Sequence, residues 1–309
     1  MRGRYFWNKR TADGLKKAIE QFQQAIDSDP NYALGYVGLA DCYLVLEAFT
    51  GASATESLPK ARAAVSRALQ IDDSLAEAHA SSAFIYQSLW RWTEAEEEFK
   101  RAISLSPNYP TVHHWFANYF LAKRQFDTSL REMKRAQELD PLSLVISGNV
   151  AVVYLLKNDL DSAIEQCQRI IELDPSYPEA HRNLGFAYLK QRRFNEATAE
   201  FQRAVELSGR ASRLLGDLGY CFAITGRRTE ALAILKELEN KYAGREALGQ
   251  QLAAVYAGLG DRDQAFAWLE KDFQQRSGQL PNITYRFDFE DLRSDSRYTD
   301  LVRRMGLEP

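Results

Sequence analysis

The stretch that decides the fold reads Leu-Gly-Phe-Ala-Tyr at residues 184–188 and resumes as Ala-Thr-Ala-Glu-Phe at residues 197–201. Gly185 is small enough to let a second helix approach closely, and Tyr188 lies about one helical turn further along. Ala197 and Phe201 are four residues apart and therefore share one face of a helix. The stretch predicts two helices that pack against each other through small and aromatic side chains.

The same residue types recur along the chain at an interval of 34 residues. An alanine position recurs with one exception, a serine: Ala61, Ala95, Ser129, Ala163, Ala197, Ala231 and Ala265. An aromatic position gives Tyr86, Phe120, Tyr154, Tyr188, Phe222 and Tyr256. A small-residue position gives Ala83, Ala117, Ala151, Gly185, Gly219 and Ala253, and a proline position gives Pro107, Pro141 and Pro175. Four registers with one period indicate internal repeats.

Each repeat has the pattern of two antiparallel helices joined by a short turn. In residues 94–105, Ala95, Phe99, Ala102 and Ile103 follow the apolar stripe of an amphipathic helix, and the opposite face is charged. The proline cannot continue the second helix, so it ends the unit. Because one pair cannot bury its apolar face alone, neighbouring pairs are expected to stack.

This pattern resembles the tetratricopeptide repeat (TPR) family, whose motif is Leu-Gly-x-x-Tyr followed by Ala-x-x-x-Phe and Pro. The resemblance covers nearly the whole chain and implies an all-α, right-handed superhelical solenoid of helix-turn-helix repeats. We assign residues 1–32 to an incomplete first unit and residues 280–309 to a C-terminal segment with a capping helix from about Ser296 to Met305. The seven full units are 33–75, 76–109, 110–143, 144–177, 178–211, 212–245 and 246–279.

The first full unit is longer than the others. Tyr43 and Ala61 are 18 residues apart, whereas the equivalent Tyr86 and Ala95 are nine apart. The extra residues fall near 49–57, which are rich in Gly, Ser and Thr. This composition predicts an exposed loop between the two helices.

Composition and motifs argue against several classes of function. With 39 basic and 42 acidic residues, the net charge is -3, which gives no reason to expect nucleic acid as a partner. No nucleotide-binding loop or nucleophile-elbow motif is present, so we expect no cofactor and no enzymatic activity. The longest apolar stretch, Leu142 to Leu156, is short and interrupted by polar residues, and no membrane insertion is expected.

Histidine and cysteine positions predict no metal site. His79, His113 and His181 occupy one position in three different units, which is typical of a structural role. Equivalent positions in stacked units lie too far apart to share one metal ion. Cys42, Cys167 and Cys221 form no CxxC pair, which argues against zinc and against a disulfide framework.

The resemblance also implies where a partner binds, because the first helix of each TPR unit lines a concave groove. Its early slots hold Asp41, Glu77 and Phe84, which predicts a mildly acidic surface. The full set of predicted partner-binding residues is Phe84, His114, Asn118, Asn149, Arg182, Asn183, Phe186, Lys190, Arg213 and Tyr220. Arg and Asn side chains suit the carboxylates and backbone of an extended peptide. We therefore predict an acidic or mixed-charge segment of a partner protein as the ligand.

The sequence thus predicts a protein-interaction scaffold or adaptor with a protein or peptide partner. Residues 2–15 and 292–307 also resemble the C-terminal TPR regions of large bacterial signalling proteins. The alternative is therefore the sensory or regulatory half of a transcription regulator, nucleotide cyclase or Ser/Thr kinase, with this chain a part of a longer protein. The expected compartment is the cytoplasm, or the periplasm if a membrane span precedes the chain. Pairing of two copies through the incomplete first unit is a further expectation.

Overall fold

The computed structural model describes residues 2–309, which form α-helices and two short 3-10 segments with no β-strand among them. The chain begins with Arg2–Asn8 (α1) and Ala12–Ser28 (α2). Seven helix pairs follow: Ala33–Thr50 (α3) with Ala54–Ile71 (α4), Ala76–Ser88 (α5) with Trp92–Leu105 (α6), Pro110–Ala122 (α7) with Phe126–Leu139 (α8), Leu144–Leu156 (α9) with Leu160–Leu173 (α10), Pro178–Lys190 (α11) with Phe194–Leu207 (α12), Ser212–Ile224 (α13) with Arg228–Ala243 (α14), and Gly249–Gly258 (α15) with Arg262–Gln274 (α16). The 3-10 segments Leu280–Thr284 and Phe287–Leu292 then lead to Ser296–Arg304 (α17). The predicted all-α solenoid of helix pairs is confirmed.

The turn inside the helix pairs repeats with the same period as the sequence. Its left-handed residue has φ between 58° and 80° and is Trp90, Arg124, Asn158, Arg192, Gly226 or Gly260. The next amide donates to the carbonyl of the aromatic position five residues earlier, as Arg193 does to Tyr188 at 2.8 Å. This hydrogen bond satisfies a carbonyl that the helix end leaves open. Backbone geometry therefore fixes the turn, and the side chain of its left-handed residue differs from one helix pair to the next.

The small-residue position brings the two helices of a pair together, as the sequence predicts. A Cβ added at Gly185 of α11 would lie 2.9 Å from the ring of Phe201 in α12. Phe201 is 1% exposed and lies edge-on to Phe186 with ring centroids 5.0 Å apart. Larger residues at position 185 would push the helices of this pair apart.

Two compact units make up the chain. Among the described residues, unit 1 contains 2–116 and 275–279, and unit 2 contains 117–274 and 280–309. In unit 1, Phe99 of α6 stacks on Phe116 with ring centroids 5.0 Å apart. In unit 2, one continuous apolar core runs from Leu155 to Val255 through α11, α12, α13 and α14. The three cysteines are buried free thiols.

The longer first pair differs from the prediction. The extra residues do not form a long loop, because α3 extends to Thr50 and α4 begins at Ala54. Each of these helices has 18 residues, whereas α5 has 13 and α6 has 14. Ala54 and Ser57 are buried, so the added turn of α4 packs on its neighbours, and the Gly, Ser and Thr content misled the prediction.

The histidine position is structural, as predicted. In His79, His113 and His181 the Nε2 atom lies 2.9–3.3 Å from the carbonyl oxygen six residues earlier. The Nδ1 atoms of His79 and His181 contact Glu98 and Glu200 of the second helix at 2.6 and 2.7 Å. The rings of His79 and His181 therefore connect the loop before the unit to both helices of the pair. In residues 2–309, no group of three His, Cys, Asp or Glu side chains is placed to hold a metal ion.

One described helix, α3, is long and apolar enough to cross a membrane, with a mean hydropathy of 1.3. The apolar stretch from Leu142 to Leu156 contains the 13-residue helix α9, Leu144–Leu156, which is shorter than α3. Within unit 1, 56% of α3 is buried, and its Asp41 and Glu47 side chains are buried too. The buried core helix of a folded domain meets the same criteria of length and hydropathy as a membrane span, so these two properties alone do not distinguish the two for α3.

Candidate partner-binding groove

Residues 285–288, which follow the last helix pair, lie against the first helices of unit 2. We call Tyr285, Arg286, Phe287 and Asp288 the internal segment. Arg286 Nη2 lies 3.2 Å from Asp217 Oδ1 on α13, and Arg286 Nε donates to Asp288 Oδ1 at 2.9 Å. Asp217 is fully buried and also accepts a 2.5 Å bond from Arg182 Nε on α11. The buried carboxylate of Asp217 therefore joins two arginines, one from the repeats and one from the internal segment.

Phe287 of the internal segment occupies an aromatic and cationic site on α11. Its ring centroid lies 5.5 Å from that of Phe186, and Lys190 Nζ lies 4.5 Å from the Phe287 ring centroid. Phe186 is 3% exposed and Lys190 is half-buried. Aromatic pairs and cations above aromatic rings are both favourable at these distances. The arrangement binds an aromatic side chain next to an arginine.

The positive charge of the internal segment, on Arg286, lies among the carboxylates of Asp217 and Asp288 and two tyrosines. Although burial works against the charge, Asp288 and Asp217 raise the pKa of Arg286 above its usual value. Burial raises the pKa of Tyr285 to about 12 despite the nearby arginines. Burial, and after it the carboxylates of Asp288 and its neighbours, also raises the pKa of Tyr220. Both tyrosines are thus neutral near pH 7, and Arg286 carries the positive charge at the centre.

The structure brings five of the ten predicted partner-binding residues to this site in unit 2. Arg182, Phe186 and Lys190 make the contacts described above, and the charges of the internal segment act on Tyr220. The fifth, Arg213, forms an ion pair with Glu179, and burial lowers its pKa. The predicted site is therefore occupied by residues of the same chain.

Two of the other predicted partner-binding residues, Asn183 and His114, are buried instead of facing a groove. Asn183 is 2% exposed, and its amide donates to the carbonyl of Gly148 at 3.0 Å, which ties α11 to α9. His114 is 6% exposed and belongs to unit 1. Phe84, also in unit 1, packs on Trp115 with ring centroids 4.9 Å apart. Asn118 and Asn149 are half-buried in unit 2 and lie outside the contacts of the internal segment described above.

The first helices of unit 1 are covered in a comparable way by α1. Arg4 Nη1 lies 2.5 Å from Asp41 Oδ2, and Trp7 Nε1 donates to the Asp41 carbonyl at 3.1 Å. Ser81 Oγ donates to the other Asp41 oxygen at 2.5 Å. The early surface predicted to be acidic therefore has Asp41 fully buried beneath α1. The sequence prediction treated α1 as half of an incomplete repeat and missed this contact.

Burial also changes how His114 titrates. Burial, together with the charge of Arg10, lowers the pKa of His114 from 6.5 to about 3. Between about pH 6.5 and pH 3, His114 is therefore protonated in the unfolded chain and neutral in the folded chain. The free energy of unfolding decreases as the pH is lowered through this range. From pH 7 to pH 5 this single group accounts for a loss of about 2 kcal/mol.

We expect His114→Gln to reduce the acid sensitivity of unit 1 by that amount. The measurement is the free energy of unfolding at pH 7 and at pH 5, obtained from urea denaturation or hydrogen exchange of unit 1. Ser88→Ala is the control, because it removes a buried hydroxyl group of unit 1 without removing a titrating group. An acid sensitivity that is the same in His114→Gln and the wild type would contradict the assignment of a neutral, buried His114.

Comparisons with known proteins agree with the helix-pair geometry. Three repeat models match: a tetratricopeptide-repeat model at residues 8–76, a TPR-repeat model at 152–192, and another tetratricopeptide-repeat model at 178–211. No curated protein sequence matches the chain. The chain contains tetratricopeptide repeats at residues 8–76 and 152–211, and its fold is that of TPR proteins, which in general serve as protein-interaction scaffolds. Proteins of this class are generally not enzymes and bind proteins or peptides.

Solved structures with a similar fold have low sequence identity to this chain. The APC/C hetero-tetramer Cut9–Hcn1 is 15% identical, with a TM-score of 0.63 over 94% of this chain and 52% of that one. The human IFIT1 dimer with PPP-AAAA is 18% identical, with a TM-score of 0.60 over 85% and 69%. Pseudomonas aeruginosa PilF is 20% identical, with a TM-score of 0.51 over 69% and 92%. At these identities the similarity shows the fold alone.

Proposed function

We propose that the chain is a scaffold that captures a segment of a partner protein in unit 2, at the site where its own internal segment lies. The observation that supports this proposal is the set of contacts around Arg286 and Phe287. They involve Arg182, Phe186 and Lys190, three residues that the TPR register assigns to the partner-binding surface. The site therefore has the chemistry needed to hold an extended peptide.

The internal segment also indicates the chemistry of the partner. Its arginine is held by Asp217, its aromatic ring by Phe186 and Lys190, and its acidic residue by its own arginine. A partner that presents an arginine, then an aromatic residue, then an acidic residue would make the same contacts. This narrows the predicted acidic or mixed-charge ligand to a mixed-charge segment, because a purely acidic one would face Asp217.

Exchange between the internal segment and a partner gives unit 2 two states. A regulatory domain requires two such states, one with the internal segment bound and one with it displaced. A partner can shift the equilibrium between them only if it binds the two states with different affinities. This supports the alternative that the chain is the regulatory half of a bacterial transcription regulator, nucleotide cyclase or Ser/Thr kinase. The native coding sequence upstream of Met1 decides between the two functions. A winged-helix, cyclase or kinase domain there supports the regulatory role, and an open reading frame that begins near Met1 supports a free-standing scaffold.

A peptide-binding experiment tests the proposal. A fluorescent peptide with the sequence of residues 282–292 is titrated with the full chain, as the wild type and as Arg286→Ala. The variant weakens the internal segment, so we expect the peptide to bind it at least about tenfold more tightly than the wild type, because less competition remains. The readout is fluorescence anisotropy.

The matched control is the same peptide with alanine in place of its arginine, which leaves the folding of the protein unaffected. We expect this peptide to lose at least about tenfold in affinity for Arg286→Ala, because it cannot pair with Asp217. Equal binding of both peptides, or no binding to either protein, would argue against the proposal.

A further inference from the structure

A second concave site lies in unit 1. It is a cleft of about 580 Å³ between α4, the end of α5 and Arg276. Its lining is Ala54, Thr55, Leu58, Pro59, Arg62, Ala63, Ser66, Ile85, Leu89 and Arg276. None of these ten residues is acidic, and two of them are arginines. The cleft therefore combines an apolar wall with positive charge.

The cleft arises from the lengthened first pair. Leu58 of α4 occupies the repeat position at which Trp92 begins α6, 34 residues later. The turn of α4 that precedes Leu58, beginning at Ala54, has no counterpart in α6. Ala63 and Pro59 are small and exposed on the same wall, and Leu89 at the end of α5 is 40% exposed. The step between a long helix and a shorter neighbour leaves an apolar surface uncovered.

The segment that carries Arg276 makes two contacts within unit 1. The amide of Gly278, two residues later, donates to Glu47 Oε2 at 3.1 Å. The Arg276 guanidinium carbon lies 5.0 Å from the ring centroid of Trp90, a favourable cation-aromatic distance. The segment that carries Arg276 is thus anchored on α3 and on the turn after α5. Arg62 is exposed on α4 and adds a second positive charge to the same lining.

We propose that this cleft binds a small amphipathic carboxylate, with its alkyl chain against Leu58, Ile85 and Leu89 and its carboxylate at Arg62 and Arg276. Ligand pockets of proteins are typically about 300–1,000 Å³ and mostly apolar, with a few polar groups that fix the orientation of the ligand. The volume and lining of this cleft match that description. Guanidinium groups form strong hydrogen bonds with carboxylates, so the arginines select an anion over a neutral chain. The site is independent of the partner-binding surface of unit 2.

Decanoate is a suitable probe, and isothermal titration calorimetry on the full chain measures its binding below the micelle-forming concentration. We expect one molecule to bind per wild-type chain. The double variant Arg62→Ala, Arg276→Ala should bind decanoate at least about tenfold more weakly, because both charge-assisted contacts are lost. 1-Decanol, which has the same chain without the charge, should bind the wild type at least about tenfold more weakly than decanoate does.

Ala63→Phe tests the location of the site, because its side chain would fill the cleft. It should abolish decanoate binding, whereas the control Ala233→Phe, at an exposed alanine of α14, should leave it unchanged. Binding that survives Ala63→Phe, or equal affinity for decanoate and 1-decanol, would overturn the proposal. Absence of decanoate binding to the wild type would overturn it too, as expected if the helix of a partner protein covers the cleft instead.

Discussion

Replacing Asp217 with alanine is expected to destabilise unit 2 by about 3–5 kcal/mol, because the change leaves two arginines without their shared buried carboxylate. Asp217 is fully buried and pairs with Arg182 at 2.5 Å and with Arg286 at 3.2 Å. Removal of one member of a buried ion pair is far more costly than removal of both, since the remaining charge keeps its desolvation penalty. Arg286 retains Asp288, whereas Arg182 keeps the side-chain oxygen of Asn183 at 3.3 Å and the Phe186 ring at 4.8 Å.

The measurement is hydrogen exchange of α11 and α13 in the full chain, which reports the local free energy of opening. Asp161→Ala, at an exposed aspartate of α10, is the matched control and should change that free energy by less than about 0.5 kcal/mol. Asp217→Asn keeps the shape of the side chain without its charge and should also destabilise unit 2, which separates the loss of charge from the loss of packing. A cost below about 1 kcal/mol for Asp217→Ala would show that Asp217 does not join the internal segment to the repeats.

Replacing Phe201 with alanine should destabilise the pair formed by α11 and α12 by about 3–5 kcal/mol. Phe201 is 1% exposed, and its ring packs beneath Gly185 and against Phe186. Truncation of its side chain removes the apolar surface that the repeat motif buries and leaves a cavity between helices that are already in close contact. Because Phe186 also contacts Phe287 of the internal segment, the change should loosen that segment as well.

Phe194→Ala is the control for Phe201→Ala, since it removes the same side chain from the same helix. Phe194 is 44% exposed, so its truncation should cost less than about 1 kcal/mol. Thermal unfolding and hydrogen exchange of α12 both measure the difference between the two variants. Similar effects of the two changes would contradict the assignment of Phe201 to the buried contact of the repeat.

The parts of the structure that repeat could be predicted from the sequence. The small, alanine and aromatic positions recur because every helix pair meets the same neighbours, so each position carries the same packing requirement. The same argument explains why His79, His113 and His181 all contact the carbonyl oxygen six residues earlier. It also explains why the backbone carbonyl of Tyr188, and of its equivalents, accepts the hydrogen bond of the turn. Periodicity allows one unit to be interpreted from the others.

The parts that occur once could not be predicted in this way. Arg286 and Phe287 follow the repeats and have no equivalent position, so nothing in the pattern indicates where they pack. Asp217 could have been singled out, because it is a charged residue between Leu214, Leu215 and Leu218 on a first helix, a setting that requires a partner. The sequence does not show whether that partner comes from a neighbouring repeat or from outside the repeats.

The lengthened first helix pair shows a different limit of prediction from sequence, which concerns residue composition. Glycine, serine and threonine at residues 49–57 suggested a loop, yet Ser53 accepts a hydrogen bond from Thr55 N as the N-cap of α4. These residue types favour helix starts as well as loops, because their side chains satisfy the free amides of the first turn. Tertiary packing of Ala54 and Ser57 then favours a helix over a loop at these positions.

Hydrogen exchange of residues 283–292 tests most directly the central claim that the internal segment occupies a peptide-binding surface and can be displaced from it. In the wild type, these amides should exchange slowly, and Arg286→Ala should raise their exchange rates at least about tenfold. Addition of the 282–292 peptide to that variant should slow exchange in α11 and α13 while residues 283–292 of the chain itself continue to exchange rapidly. Rapid exchange of this segment in the wild type, with no change in Arg286→Ala, would contradict the account.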